Sequence, residues 1–167
     1  LEQNKSNREL FVMDIDGQNK KQITCTPESE GNAVWIDGGK QIAYLSGKSG
    51  DSQLWIMNAD GSNARQISHH EKGVHGFLFS PDEKHILFIG NVKYSEKASD
   101  LYPDLDKATG RVIDDLMYKH WDEWVEEIPH PYIASFDGKQ LTDITDIMEG
   151  EPYESPMKPF GGIESFA

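Results

Sequence analysis

Residues 53–68 read Gln53-Leu54-Trp55-Ile56-Met57-Asn58-Ala59-Asp60-Gly61-Ser62-Asn63-Ala64-Arg65-Gln66-Ile67-Ser68. An apolar run leads into Asp-Gly and then a second short run ending in Gln-Ile-Ser. This pattern predicts a tight β-hairpin with a type I′ turn, because Asp-Gly supplies the positive φ angles that turn requires. An earlier stretch repeats it. Glu9-Leu10-Phe11-Val12-Met13-Asp14-Ile15-Asp16-Gly17 leads into Gln18-Asn19-Lys20-Lys21-Gln22-Ile23-Thr24, and Gly17 and Gly61 stand 44 positions apart. A period of that length with strands inside it predicts a propeller blade.

Leu54 and Ile56 alternate with Trp55 and Met57, and Leu10 and Val12 alternate with Phe11 and Met13. A strand that is apolar on both faces must be covered on both, as a blade between two neighbours is. The other half of the repeat also recurs. Val34-Trp35-Ile36-Asp37-Gly38-Gly39-Lys40-Gln41-Ile42-Ala43-Tyr44-Leu45-Ser46 matches Leu78-Phe79-Ser80-Pro81-Asp82-Glu83-Lys84-His85-Ile86-Leu87-Phe88-Ile89-Gly90, with Trp35 and Phe79 again 44 apart. Pro81 and Asp82 suit a tight turn. Each repeat therefore reads as four antiparallel strands, the pattern of a blade.

The third Asp-Gly, Asp137-Gly138, falls 77 residues after Gly61, which leaves about 33 residues inserted at roughly 91–125, between the second and third strands of that blade. A smaller excess of twelve sits around 148–156, and three prolines within 152–159 predict a loop there. The expected class is all-β: an incomplete β-propeller of about two to three four-stranded antiparallel blades with a partly helical insertion. Residues 1–28 form a half blade, 29–72 a complete blade, 73–147 the blade with the insertion, and 148–167 a loop and the start of another blade. A closed propeller needs about four blades or more. The open blade edges at both ends are expected to let the chain self-associate.

The chain has 167 residues and a net charge of −13. That balance repels a phosphate backbone and an anionic membrane surface, which argues against both partners. The longest apolar runs, such as Ile86-Leu87-Phe88-Ile89, are strand-sized, so no membrane insertion is expected. Cys25 is the only cysteine, which excludes an internal disulfide framework and a cysteine metal cluster. The polar start, Leu1 to Arg8, runs directly into a strand and reads as a cut inside a longer chain, so a missing signal peptide says nothing about the parent's location.

Within the insertion, apolar residues at 112, 113, 116, 117, 121 and 124 fall close to a helical stripe and predict a short helix from about Arg111 to Trp121 over one rim. On the plain reading, Tyr118, His120, Trp121 and Trp124 pack this element down. The carboxylates Asp122, Glu123, Glu126 and Glu127 read plainly as a solvated acidic face. Asp104-Leu105-Asp106-Lys107-Ala108-Thr109-Gly110 misses the EF-hand pattern at its third ligand, its glycine and its final glutamate. His69, His70 and His75 have no spaced partner of ligand type. No metal or cofactor is expected. Gly47-Lys48-Ser49-Gly50 fails the spacing of a Gly-x-Ser-x-Gly nucleophile elbow, and no catalytic residue is assigned.

The general repeat motifs, Leu54-Trp55-Ile56-Met57-Asn58-Ala59-Asp60-Gly61 and Phe79-Ser80-Pro81-Asp82, look like those of TolB-type and WD-like propellers. More specific are Tyr102-Pro103-Asp104-Leu105-Asp106, Leu116-Met117-Tyr118-Lys119-His120-Trp121-Asp122-Glu123-Trp124 and Met148-Glu149-Gly150-Glu151-Pro152-Tyr153. Through these the whole chain resembles the N-terminal β-propeller of the prolyl oligopeptidase family of serine peptidases, in its bacterial dipeptidyl-peptidase V type. The resemblance implies a periplasmic or otherwise extracytoplasmic hydrolase that releases dipeptides from peptide N-termini. Its propeller would cover an α/β-hydrolase domain of the same parent chain and restrict access to short peptides. That domain lies outside these residues, so the chain alone is expected to have no hydrolytic activity. Related dipeptidyl peptidases hold the substrate's free amine with propeller carboxylates. By that resemblance Asp122, Glu123, Glu126 and Glu127, with Trp121 and Trp124, are the substrate-binding candidates. A non-enzymatic TolB-like propeller that binds a protein partner is the alternative, and an isolated structural repeat array is a third.

Overall fold

Alternation of apolar residues on both faces produces two successive four-stranded antiparallel sheets in the computed structural model, which describes residues 6–113 and 116–166. A two-stranded sheet comes first, β1 (Phe11–Val12) with β2 (Lys21–Gln22). The next sheet runs in chain order: β3 (Glu30–Ile36), β4 (Gln41–Ser46), β5 (Gln53–Asn58) and β6 (Arg65–Gln66). The last begins with β7 (Val74–Phe79) and β8 (His85–Lys93). The chain then leaves the sheet through α1 (Ala98–Leu101) and the small hairpin β9 (Lys119–His120) and β10 (Glu123–Trp124). It returns as β11 (Glu127–Phe136) and β12 (Leu141–Asp146), giving the order β7-β8-β11-β12. Among the described residues the propeller is incomplete: no sheet closes on itself.

The period-two pattern of β4 and β5 sorts their side chains between two cores. Ile42, Tyr44, Trp55 and Met57 pack against Leu10, Val12 and Ile23 of the first unit. Ala43, Leu45, Leu54 and Ile56 face the other way, onto Phe77, Ile86, Phe88, Ala134 and Phe136 of the last. Leu54 and Ile56 are fully buried, and each such side chain contributes about 1.5–3 kcal/mol through removal from water. Phe11 and Met13, the repeat partners of Trp55 and Met57, are exposed, as is Ile133 on the far side of the last sheet.

One polar arrangement recurs in all three units. In the middle sheet Gln53 Oε1 accepts from the Ser68 hydroxyl at 2.7 Å and from the His70 amide at 3.1 Å. In the first unit Glu9, 44 positions earlier, accepts from the Thr24 hydroxyl at 2.7 Å and the Thr26 amide at 3.1 Å. In the last, His130, which precedes its Asp-Gly turn by the same interval, pairs through Nδ1 with Asp146 Oδ2 at 2.8 Å. Each ties the third-strand side of a unit, eight residues before its Asp-Gly glycine, to residues at or just beyond the end of its fourth strand. The outer strands are also linked across units: Lys21 Nζ donates to the Asp60 carbonyl at 3.1 Å, and Arg65 Nη2 donates to the Gly138 carbonyl at 2.8 Å.

Two expectations are corrected. The Asp-Gly turns are not type I′, because only Gly17, Gly61 and Gly138 take positive φ while the aspartates do not. At the first two turns the glycine amide closes a four-residue turn, Gly17 N–H to the Asp14 carbonyl and Gly61 N–H to the Asn58 carbonyl. The glycine supplies one left-handed step and an asparagine two residues on, Asn19 or Asn63, a second, and together they let the chain turn back. The helix expected from about Arg111 to Trp121 is also not formed. Arg111 bridges to Lys97, and Lys119 and His120 are strand, while residues 114 and 115 lie outside the described residues. The apolar stripe there stays largely exposed, Leu116 at 92% and Trp121 at 75%. The helical part of the insertion is α1, upstream.

Candidate functional site

The insertion, residues 94–126, is closed at its base by the amides of Tyr94 and Ser95, which both donate to the Glu126 carbonyl at 3.0 and 3.3 Å. The Ser95 hydroxyl adds a bond to the Val125 carbonyl at 2.9 Å. The carboxylate of Glu126 then gathers the rest. Lys97 Nζ lies 2.7 Å from Oε2, and Arg111 donates through Nη2 to Oε1. The hydrogen bond from Lys97 holds the Glu126 carboxyl below its ordinary value. Arg111 and Lys119 each sit 4.6 Å from the centre of the Trp124 ring, where the π face attracts cations. The cavity beneath, lined by Tyr94, Met117, Tyr118, Trp124 and Val125 among others, measures about 30 Å³. That is room for about a water molecule and not for a substrate.

Glu127 points to different neighbours. Its Oε1 is 3.0 Å from Lys72 Nζ, and Asn91 Nδ2 donates to Oε2 at 3.3 Å. Burial pushes this carboxyl up, but the bonds from Lys72 and Asn91 outweigh it and the net shift is down. Glu126 and Glu127 are therefore charged, each with a cation already beside it.

Trp121, Asp122 and Glu123 lie together at the tip of the β9–β10 hairpin, all exposed. Asp122 and Glu123 make no side-chain hydrogen bond or ion pair with any described residue. Trp121 stands at φ +53° in the two-residue turn between the paired His120 and Glu123. A left-handed backbone costs a bulky residue about 1–3 kcal/mol. Its ring meets Phe160 edge-on at 5.6 Å. The loop that carries Phe160 is fastened to the hairpin: His120 Nε2 lies 2.9 Å from Glu154 Oε2, whose side chain is only 8% exposed. Glu154 Oε1 accepts from the Lys158 amide at 3.0 Å, and the Ser155 amide donates to the Pro129 carbonyl at 2.8 Å.

The six candidate residues thus fall into three settings. Trp121, Asp122 and Glu123 form the exposed tip, Trp124 and Glu126 lie in the cationic cage, and Glu127 sits at the head of β11 beside Lys72. Sequence reasoning missed Phe160 and Glu154, because the loop at 148–162 has no periodicity and its approach to the hairpin depends on the long-range His120–Glu154 pair. Among the described residues, no three histidine, cysteine, aspartate or glutamate side chains stand close enough together to hold a metal ion.

Comparison with known proteins places the chain as a whole. The chain is 56% identical over 164 residues to the dipeptidyl-peptidase 5 of Porphyromonas gingivalis, covering 98% of this chain and 24% of that protein. It is 42% identical over 159 residues to the dipeptidyl-peptidase 5 of Porphyromonas endodontalis, covering 95% of this chain and 23% of that protein. The chain therefore spans about a quarter of the length of these curated relatives. In three dimensions it overlays the acylaminoacyl peptidase of Pyrococcus horikoshii with a TM-score of 0.61 at 13% identity, over 87% of this chain and 21% of that one, a likeness of fold. The family model of the TolB β-propeller domain matches residues 1–118, well over half of the chain, and the chain belongs to that family.

Proposed function

We propose that this chain is the propeller portion of an extracytoplasmic serine dipeptidyl peptidase. The observation that carries this reading is the 56% identity to a dipeptidyl-peptidase 5 across 98% of the chain. In this reading an α/β-hydrolase domain of the same parent chain supplies the nucleophile. The propeller limits access to short peptides and holds their N-terminal amine. Release of dipeptides needs a fixed stop two residues from the scissile bond, and a carboxylate clamp on the amine sets that distance.

A cationic amine is held best by acceptors that no cation already occupies. Glu126 is bonded to Lys97 and Arg111, and Glu127 to Lys72, so their charge is balanced within the protein. Asp122 and Glu123 keep their full acceptor capacity. We assign the amine contact to these two, with Glu126 and Glu127 holding the insertion in place.

The test is made on the full-length parent. Replacing Asp122 by Asn together with Glu123 by Gln should raise KM for free-amine dipeptidyl substrates about tenfold or more and leave kcat nearly unchanged, since a charged hydrogen bond is lost. Unchanged KM in this double variant removes the amine clamp. A parent protein that turns over no dipeptidyl substrate removes the peptidase reading as a whole. The alternative, a non-enzymatic propeller that binds a protein partner, draws on the TolB family match. The absence of a Gly-x-Ser-x-Gly motif from the parent's reading frame would favour it.

A further inference from the structure

Tryptophan is an unusual choice at position 121. Seven non-glycine residues take positive φ among those described, and Asn19, Asn32, Asp37, Asn63 and Asp143 belong to the two residue types that tolerate it best. Glu83 and Trp121 do not, and Trp121 is the one with a bulky ring. A two-residue hairpin turn normally places glycine, asparagine or aspartate at such a site. Packing does not account for the tryptophan, because the residue remains 75% exposed. Its one aromatic neighbour among the described residues, Phe160, is 83% exposed. The two rings come from separate parts of the chain, yet they are held in register by the His120–Glu154 pair and the Ser155–Pro129 backbone bond. Two large apolar rings, both in water, in contact with each other, and one on a left-handed backbone, form an exposed aromatic surface.

Charge indicates what the surface receives. The residues directly following Trp121 are Asp122 and Glu123, the two of the four candidate carboxylates that pair with no cation among the described residues. In an N-terminal residue of a peptide, the amine and the side chain leave the same carbon. A residue whose amine reaches Asp122 or Glu123 therefore brings its side chain onto the surface beside them. We propose that Trp121 and Phe160 form the face that reads the side chain of the substrate's N-terminal residue, and that it selects large apolar side chains over small or polar ones. This inference rests on the peptidase reading above and adds to it a specificity that the amine clamp alone does not have.

The experiment uses the full-length parent and two chromogenic dipeptidyl substrates that differ only in the N-terminal residue, phenylalanine or glycine. Trp121→Gly is the informative variant, because glycine adopts φ +53° without strain and the turn is kept. The expected result is a loss of about tenfold or more in kcat/KM for the phenylalanine substrate, with the glycine substrate within about twofold. Phe160→Ala should act in the same direction, and Trp121→Phe should retain most of the preference. An equal fall for both substrates would assign the rings to docking of another domain and overturn the proposal, as would no change for either. Binding of the two corresponding non-hydrolysed dipeptide amides, measured by calorimetry on the same proteins, gives a second readout that needs no turnover. If the parent hydrolyses neither substrate, the peptidase reading fails. A binding preference for phenylalanine that Trp121→Gly removes then still supports the aromatic face, and equal binding of the two amides overturns it.

Discussion

The middle sheet and the insertion are held together by different forces. In the sheet β3–β6, side chains alternate into two apolar cores, and Leu54, Ile56 and Ala43 are completely buried. The insertion buries only Val125 among its large apolar residues, and its shape depends on Glu126, Lys97, Arg111, Lys119 and the Trp124 ring. Apolar burial is non-directional and survives small shifts, whereas ion pairs near the surface contribute little each and are screened by salt. The contrast separates a frame that resists change from a rim element that can be altered without unfolding the frame.

The largest effect should come from cutting into the frame. Ile56→Ala should cost about 2–5 kcal/mol of unfolding free energy, read from urea denaturation. Leu116→Ala, at a site 92% exposed, should stay within about 0.5 kcal/mol. A similar loss at both sites would erase the distinction. Next comes a comparison inside the frame. A methyl group on Gly61 would lie 2.7 Å from the Ile23 carbonyl oxygen, while one on Gly17 would meet nothing within 4 Å. Both residues have positive φ. Gly17→Ala should therefore cost about 1 kcal/mol from backbone strain alone, and Gly61→Ala about 3 kcal/mol. Equal costs would mean that the first two units do not pack as closely at that turn as the structure has them.

Glu126→Gln should act on the rim. Amides of residues 94–126 should exchange about tenfold faster, while global stability changes by no more than about 1 kcal/mol. A cooperative loss of the whole fold would show that the insertion is part of the frame. Acid should produce the mildest version of the same effect. The Glu126 and Glu127 carboxyls are held below their ordinary values, so their stabilisation is complete above the unfolded glutamate value of about 4.3 and is lost as pH falls through the lowered folded values. Protection factors of the insertion amides, normalised for intrinsic exchange, should fall below about pH 4.3 and stay flat from there to neutrality.

The frame was legible because its information is local and periodic. Leu54 to Met57 announce a strand buried on both sides, and the 44-residue echo at Leu10 to Met13 announces its neighbour. The Asp-Gly pairs located the turns, although not their type, since the hydrogen bonds from Gly17 and Gly61 decide that. The candidate site was legible only in part. Asp122, Glu123 and Trp121 were singled out as residue types, but the sequence could not say which carboxylates were already paired. Glu126 finds Lys97 and Arg111, and Glu127 finds Lys72, across separations with no period. The stripe from Val112 to Trp124 suggested a helix because spacing alone does not distinguish a helical face from residues gathered around a hairpin. Phe160 was invisible for the same reason as the His120–Glu154 pair: both depend on a loop folding back over a distant turn.

The links made by Lys21 and Arg65 give the outer circumference a direction. Each reaches forward, from one unit's last strand to the turn of the unit that follows, at Asp60 and at Gly138. The rim is therefore a series of hooks that all face the same way. A disturbed turn releases the hook of the unit before it and leaves its own hook on the next unit in place. Damage at the circumference is passed back along the chain, and the orderly array of blades acquires a mechanical sense, a leading side and a trailing side, that its nearly repeating sequence does not advertise.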